Sequence, residues 1–234
     1  MMMTSHLEVV VWIFIIGCLT YMPVIGPYFK LFNTMVHETG HAVAAIVTGG
    51  KVSNISLYSN TGGLAITQHR SLFGRLITLL AGYPAASLFS VLFLYALDKE
   101  WIMPAVFTLT AILIYNLIFW VRNLTGWVWI VSVLSVLYFL YANNYSQWLE
   151  WLLTIIGIML LIQAFLSTWI LFTLTLNQKN ETGDAGLLED LTKIPSIIWS
   201  TLFLTQGLGC FIIGISIWLG YSPFIFVNWL IQLF

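Results

Sequence analysis

Charge is what this sequence has least of. Lys and Arg number 8 and Asp and Glu 9, together 7% of 234 residues, where a soluble domain carries roughly 25%. That scarcity excludes an ordinary soluble globular domain. A formal net charge of −1 with no basic run excludes the electrostatic footprint that nucleic acid requires. Only two cysteines are present, Cys18 and Cys210, both inside apolar runs. Neither a disulfide framework nor a cysteine-based metal site is indicated. The sequence also lacks a repeat of fixed period, a low-complexity tract and a separate soluble domain, so residues 1–234 read as one integral membrane unit. What fills the chain is 60% hydrophobic and 16% aromatic, with mean hydropathy +0.95.

Apolar runs long enough to cross a bilayer recur along the chain. The first, Leu7 to Gly26, has no Lys or Arg before it and so lacks the positive flank of a cleavable signal; it is expected to be a retained span. Pro23 and Pro27 break its end. Further runs are expected at about Leu31 to Thr48, Ser71 to Leu97, Trp101 to Val121, Gly126 to Ala142, Leu149 to Thr175 and Ile194 to Gly220. The expected fold class is therefore an all-α polytopic membrane protein with about seven transmembrane helices. Phe224 to Phe234 is too short to span and is expected at the interface. Between the second and third runs, Val52 to Thr67 alternates apolar and polar residues around Asn60-Thr61-Gly62-Gly63, the pattern of a short β-hairpin. A hairpin there offers a sheet edge to which an extended segment can add as a strand.

Within the second run, His37, Glu38 and His41 stand in the spacing H-E-x-x-H. Positions four apart on a helix lie about 40° from each other around the axis, so His37 and His41 can present nitrogens to one metal. Glu38 points to the side of that pair and can take a proton from water without occupying a coordination position. From the composition, the motif arises by chance in roughly three of a thousand shuffled chains. Ionisable groups inside a membrane cost several kcal/mol unless partnered, and a metal, here Zn2+, is the simplest partner for three within five positions. Small residues Gly40, Ala42, Ala44 and Ala45 let neighbouring helices approach.

If seven segments span, one side carries Lys51, Arg70, Arg75, Arg122, Lys179 and Lys193, and the other only Lys30 and Lys99. That asymmetry predicts the first side, and the N-terminus with it, to be cytoplasmic. His41 would then lie roughly 10 Å from the cytoplasmic end of its helix.

The HETGH helix, the glycine-bounded hairpin after it and Leu79-Leu80-Ala81-Gly82-Tyr83-Pro84-Ala85-Ala86-Ser87-Leu88 in the next run together resemble the site-2 protease group of zinc metallopeptidases, in its short B-type-like branch. Gly183 to Pro195 is similar to a D-A-x-x-L-x-x-x-T-x-x-P element of that branch. The resemblance implies a membrane-embedded endopeptidase acting on membrane or membrane-proximal substrates, with zinc on His37 and His41 and Glu38 as the catalytic base. Other members take a third ligand from a Leu-Asp-Gly element on a later helix. No Asp or Glu lies between Trp101 and Gln147 here. On the side of the motif, Glu181, Asp184, Glu189 and Asp190 remain, and the resemblance favours Asp184 as the third metal ligand. Asp184 followed by Ala-Gly-Leu-Leu-Glu is equally the pattern of an N-cap before a short helix. A zinc-binding membrane scaffold without proteolysis, and a transporter, are the other readings; the second lacks paired broken helices in matching halves.

Overall fold

A computed structural model describes residues 6–177 and 182–221. Their order is α1 (His6–Tyr21), α2 (Ile25–Val47), β1 (Lys51–Leu57), β2 (Gly63–Gln68), α3 (Leu72–Asp98), α4 (Ile102–Tyr115), a π-helical turn (Asn116–Trp120), α5 (Leu124–Ala142), α6 (Ser146–Asn177), α7 (Gly183–Thr192) and α8 (Ser196–Trp218). Glu181, Lys179 and the stretch from Phe224 onward lie outside the described residues.

The expectation of seven spans needs correction. Five helices are long and apolar enough to cross a membrane: α3, α4 with its π turn, α5, α6 and α8. α1 and α2 instead form a bent pair, Phe14–Tyr21 and Ile25–Val47, turning by 99°, which makes six crossings at most among the described residues. The cause is local. Pro23 cannot donate a helical hydrogen bond, Val24 adopts a left-handed φ of 74°, and the Gly26 backbone packs so closely on the Thr20 carbonyl that a side chain would collide with it.

α6 is the central post. Every residue from Ile156 to Ala164 is buried, as expected of a helix that is apolar all round. It packs against α3, where Gly157 abuts Phe93 and Leu94, and against α8, where Gly207 meets Thr168 and Gly214 meets Leu161. α2 lies against α3 through Gly40, whose missing side chain admits Ala85. With lipid on one side and protein on the other, such small-residue contacts replace the hydrophobic drive of water. α3 runs unbroken through Pro84, and Ser71 caps its start by accepting from the Gly74 N–H at 3.0 Å.

The hairpin forms where alternation and turn residues predict it. Ile55 pairs with Ala65 and Leu57 with Gly63, antiparallel, with an irregularity between Val52 and Asn54. Its tip docks on α2, where the Thr34 hydroxyl donates to the Thr61 carbonyl at 2.7 Å. Its two edges differ. The β1 edge is covered: Ile55 bridges to Val121 in parallel, the Arg122 N–H donates to the Ile55 carbonyl at 3.1 Å, and the Asn123 amide bonds both the N–H and the carbonyl of Leu57. The β2 edge is left facing a cavity beside α2.

Candidate metal centre

α2 carries His37, Glu38 and His41 on its inner side, with Glu38 and His41 buried. The Nε2 atoms of His37 and His41 stand 3.0 Å apart, with the two rings at 85° to each other. The His41 Nδ1 lies 2.6 Å from the Thr78 carbonyl. A carbonyl only accepts, so Nδ1 carries the proton and Nε2 keeps its lone pair for another partner.

That partner approaches from the far end of the sequence. Asp184, in the first turn of α7, brings Oδ2 to 3.2 Å from His41 Nε2 and 3.3 Å from His37 Nε2. Asp184 is thus not the N-cap of α7: that position is Thr182, and no side chain caps it. The Asp184 carboxylate oxygen faces both imidazole nitrogens and is buried between them. A ligand to a dication must be ionised. The other acids considered lie elsewhere. Glu189 accepts from the Ser196 N–H at the start of α8, and Asp190 is exposed.

The three atoms form a nearly equilateral triangle of 3.0, 3.2 and 3.3 Å. Ligands about 2.0–2.1 Å from a tetrahedral zinc stand roughly 3.3 Å from one another, so the triangle has the size of one face of such a site. Asp184 Oδ2 is buried and has no hydrogen bond of acceptable geometry, although two nitrogens crowd it. Three lone-pair atoms turned to one point with no proton satisfactorily between them fit a metal. Gly82 of α3 supplies the floor: a side chain there would begin 2.5 Å from both imidazoles.

Sequence profiles of known families give the chain its affiliation. The family described as Peptidase M50B-like matches residues 7–214. The chain belongs to that family. It is a family of membrane metallopeptidases, and the match spans both the HETGH helix and Asp184. No curated protein and no solved structure matches the chain.

The site opens on a cavity of about 790 Å³ lined by His37, His41 and Asp184, Glu38, the β2 strand, and Leu79, Tyr83 and Leu187 as apolar walls, with His69 and Arg75 at its rim. The Glu38 carboxylate takes a hydrogen bond from the Ala65 N–H and rests against Gly63, where a side chain would start 2.7 Å from Oε1. His69 contacts the Thr67 hydroxyl at 2.9 Å; burial first, and then Arg75, lower its pKa. Reasoning from sequence did not assign roles to Thr78, His69 or Arg75. Only the resemblance carried by Leu79 to Leu88 marked that part of α3.

Proposed function

We propose that this family member is a zinc-dependent endopeptidase that hydrolyses peptide bonds of membrane or membrane-proximal substrates inside the bilayer. The observation that carries the reading is the ligand triangle with a buried carboxylate beside it that takes no part in it. Zinc held by His37, His41 and Asp184 would lower the pKa of water toward neutrality and polarise a carbonyl.

Glu38, adjacent to the triangle, accepts the proton of the attacking water and returns it to the leaving amine nitrogen. His41 is held in one tautomer by Thr78, so its orientation does not depend on the substrate. The β2 edge runs past Glu38, which accepts from its Ala65 N–H, and an extended peptide pairing with the remaining groups of that edge is laid across the site. A transmembrane helix has its backbone groups already paired, so a substrate segment must unwind before it can take that edge. Leu79, Tyr83 and Leu187 give the cavity apolar walls beside its charged groups, and its open side admits the attacking water.

The hairpin, the α4–α5 junction and α7 share one end of the bundle, and Lys51, Arg70, Arg75, Arg122 and Lys193 are at that end, against Lys30 and Lys99 at the other. This supports a cytoplasmic placement of the site end. The side of the N-terminus follows from whether the bent α1–α2 pair crosses as one span; the placement of the helices from α3 onward does not.

The decisive experiment compares zinc content and cleavage of reconstituted protein with those of two variants. Glu38→Gln should keep stoichiometric zinc and lose cleavage, while His41→Ala should lose both. Equal metal loss in the two variants would place Glu38 among the ligands and remove the assigned base.

A further inference from the structure

Tyr83 has a role left open by the chemistry above. Its ring packs edge-on to His37, with centroids 4.6 Å apart at 75°, and on its other side meets Phe203 at 4.9 Å. It lines the same cavity as His37, Glu38, His41 and Asp184. Yet that hydroxyl makes no hydrogen bond among the described residues. The hydroxyl is not among the sealed, partnerless polar atoms of the structure, so it opens on the cavity as a phenol donor available to an acceptor that arrives with the substrate.

The other donors near the site are occupied or remote. The Ser87 hydroxyl donates to the Tyr83 carbonyl at 3.0 Å. His69 is engaged with Thr67 at 2.9 Å, and Arg75 is exposed at the rim. The Asn116 amide is spent on Thr39 and the Ile112 carbonyl, on another side of α2.

We propose that Tyr83 is a catalytic residue whose hydroxyl donates a hydrogen bond to the oxygen of the carbonyl under attack. The inference rests on the endopeptidase reading. As water oxygen bonds to the carbonyl carbon, the π pair moves onto the carbonyl oxygen and the water proton goes to Glu38. Tyr83 keeps its own proton throughout and stabilises the new negative charge. When the tetrahedral carbon collapses, the C–N bond breaks and the proton on Glu38 passes to the amine nitrogen. One donor placed at a developing oxyanion is worth about 10²–10³ in kcat.

The test is Tyr83→Phe, which keeps the ring against His37 and Phe203 and removes one oxygen, with exposed Tyr138→Phe as the control. On a quenched peptide bearing a site that the unmodified protein cuts, kcat should fall about 10²-fold with KM nearly unchanged. Zinc content and melting temperature should stay as in the unmodified protein. A phosphinic peptide, whose tetrahedral oxygens mimic the attacked carbonyl, should bind about 10²-fold more weakly to Tyr83→Phe, while a reduced-amide peptide should bind both forms alike. Unchanged kcat and unchanged phosphinate affinity would overturn the assignment, and loss of zinc would make Tyr83 a structural support for His37 instead. If the unmodified protein holds zinc and cuts no membrane segment, the endopeptidase reading fails by itself; the phosphinate comparison still decides whether Tyr83 is an oxyanion donor.

Discussion

A methyl group on Gly82 would stand 2.5 Å from His37 Cε1, 2.5 Å from His41 Nε2 and 2.7 Å from His37 Nε2. Comfortable contacts between such atoms begin at about 3.5 Å, so Gly82→Ala must open roughly 1 Å between α3 and the imidazoles. Neither side yields easily. His41 is tethered to α3 itself through the Thr78 carbonyl, and α2 is pressed to α3 at Gly40 and Ala85. The displacement therefore falls on the ligand triangle, where metal bonds tolerate about 0.2 Å. Zinc affinity should drop by at least the roughly 10–100-fold that follows from losing a partner behind a ligand, while overpacking costs the fold only about 1–3 kcal/mol. Competition with a chelator of known affinity measures the first quantity and thermal unfolding of the metal-free protein the second. Gly209→Ala, where nothing lies within 4 Å, is the neutral control. Wild-type zinc affinity in Gly82→Ala would refute the reasoning, because it would mean that the imidazoles do not bind metal in the arrangement described.

Two further predictions follow from the same geometry. Asp184→Ser should lose zinc more severely than a variant lacking an outer partner, beyond about 10–100-fold, whereas Asp190→Ala should bind as the unmodified protein does; full zinc occupancy in Asp184→Ser, measured by elemental analysis, would eliminate the carboxylate as a ligand. Reporter tags after residue 69 and after Thr192 should both read cytoplasmic, and tags at 98–100 and 143–145 should read on the other side. Opposite sides for the first two would be incompatible with Asp184 reaching His37 and His41 across a folded bundle.

Local signals in this chain were strong wherever the physics was local. The spacing of His37 and His41 puts both on one helical face whatever surrounds them, because 3.6 residues per turn is a property of the backbone alone. The hairpin was legible for the same reason: alternation of period two between Val52 and Thr67 and a glycine-bearing turn leave an amphipathic ribbon as the ready solution. Apolar runs located α3, α5, α6 and α8 within a few residues, since a bilayer admits uninterrupted apolar helices with their backbone bonds closed.

What only the tertiary structure decided concerns relations between distant parts. Apolar length suggested that α1 and α2 cross separately, but the corner at Pro23 and Gly26 is a matter of packing, and it turned two spans into a bent pair. Asp184 was one of four acids on the right side, favoured by resemblance alone. Its two readings, cap or ligand, differ by the direction of one side chain, which depends on how α7 docks against α3 and α8. The groups that complete the site were less visible still. The Thr78 carbonyl that orients His41 is a backbone atom, present at every position and so invisible in sequence, and the open space at Gly82 is defined by the absence of atoms. Tyr83 looked like any aromatic residue of a membrane helix until the fold set its ring beside His37 and left its hydroxyl without a partner. Sequence thus determined the reactive groups and their local order, while the meeting of α2, α3 and α7 determined which of them face one another, because that meeting depends on small-residue contacts spread across the whole bundle.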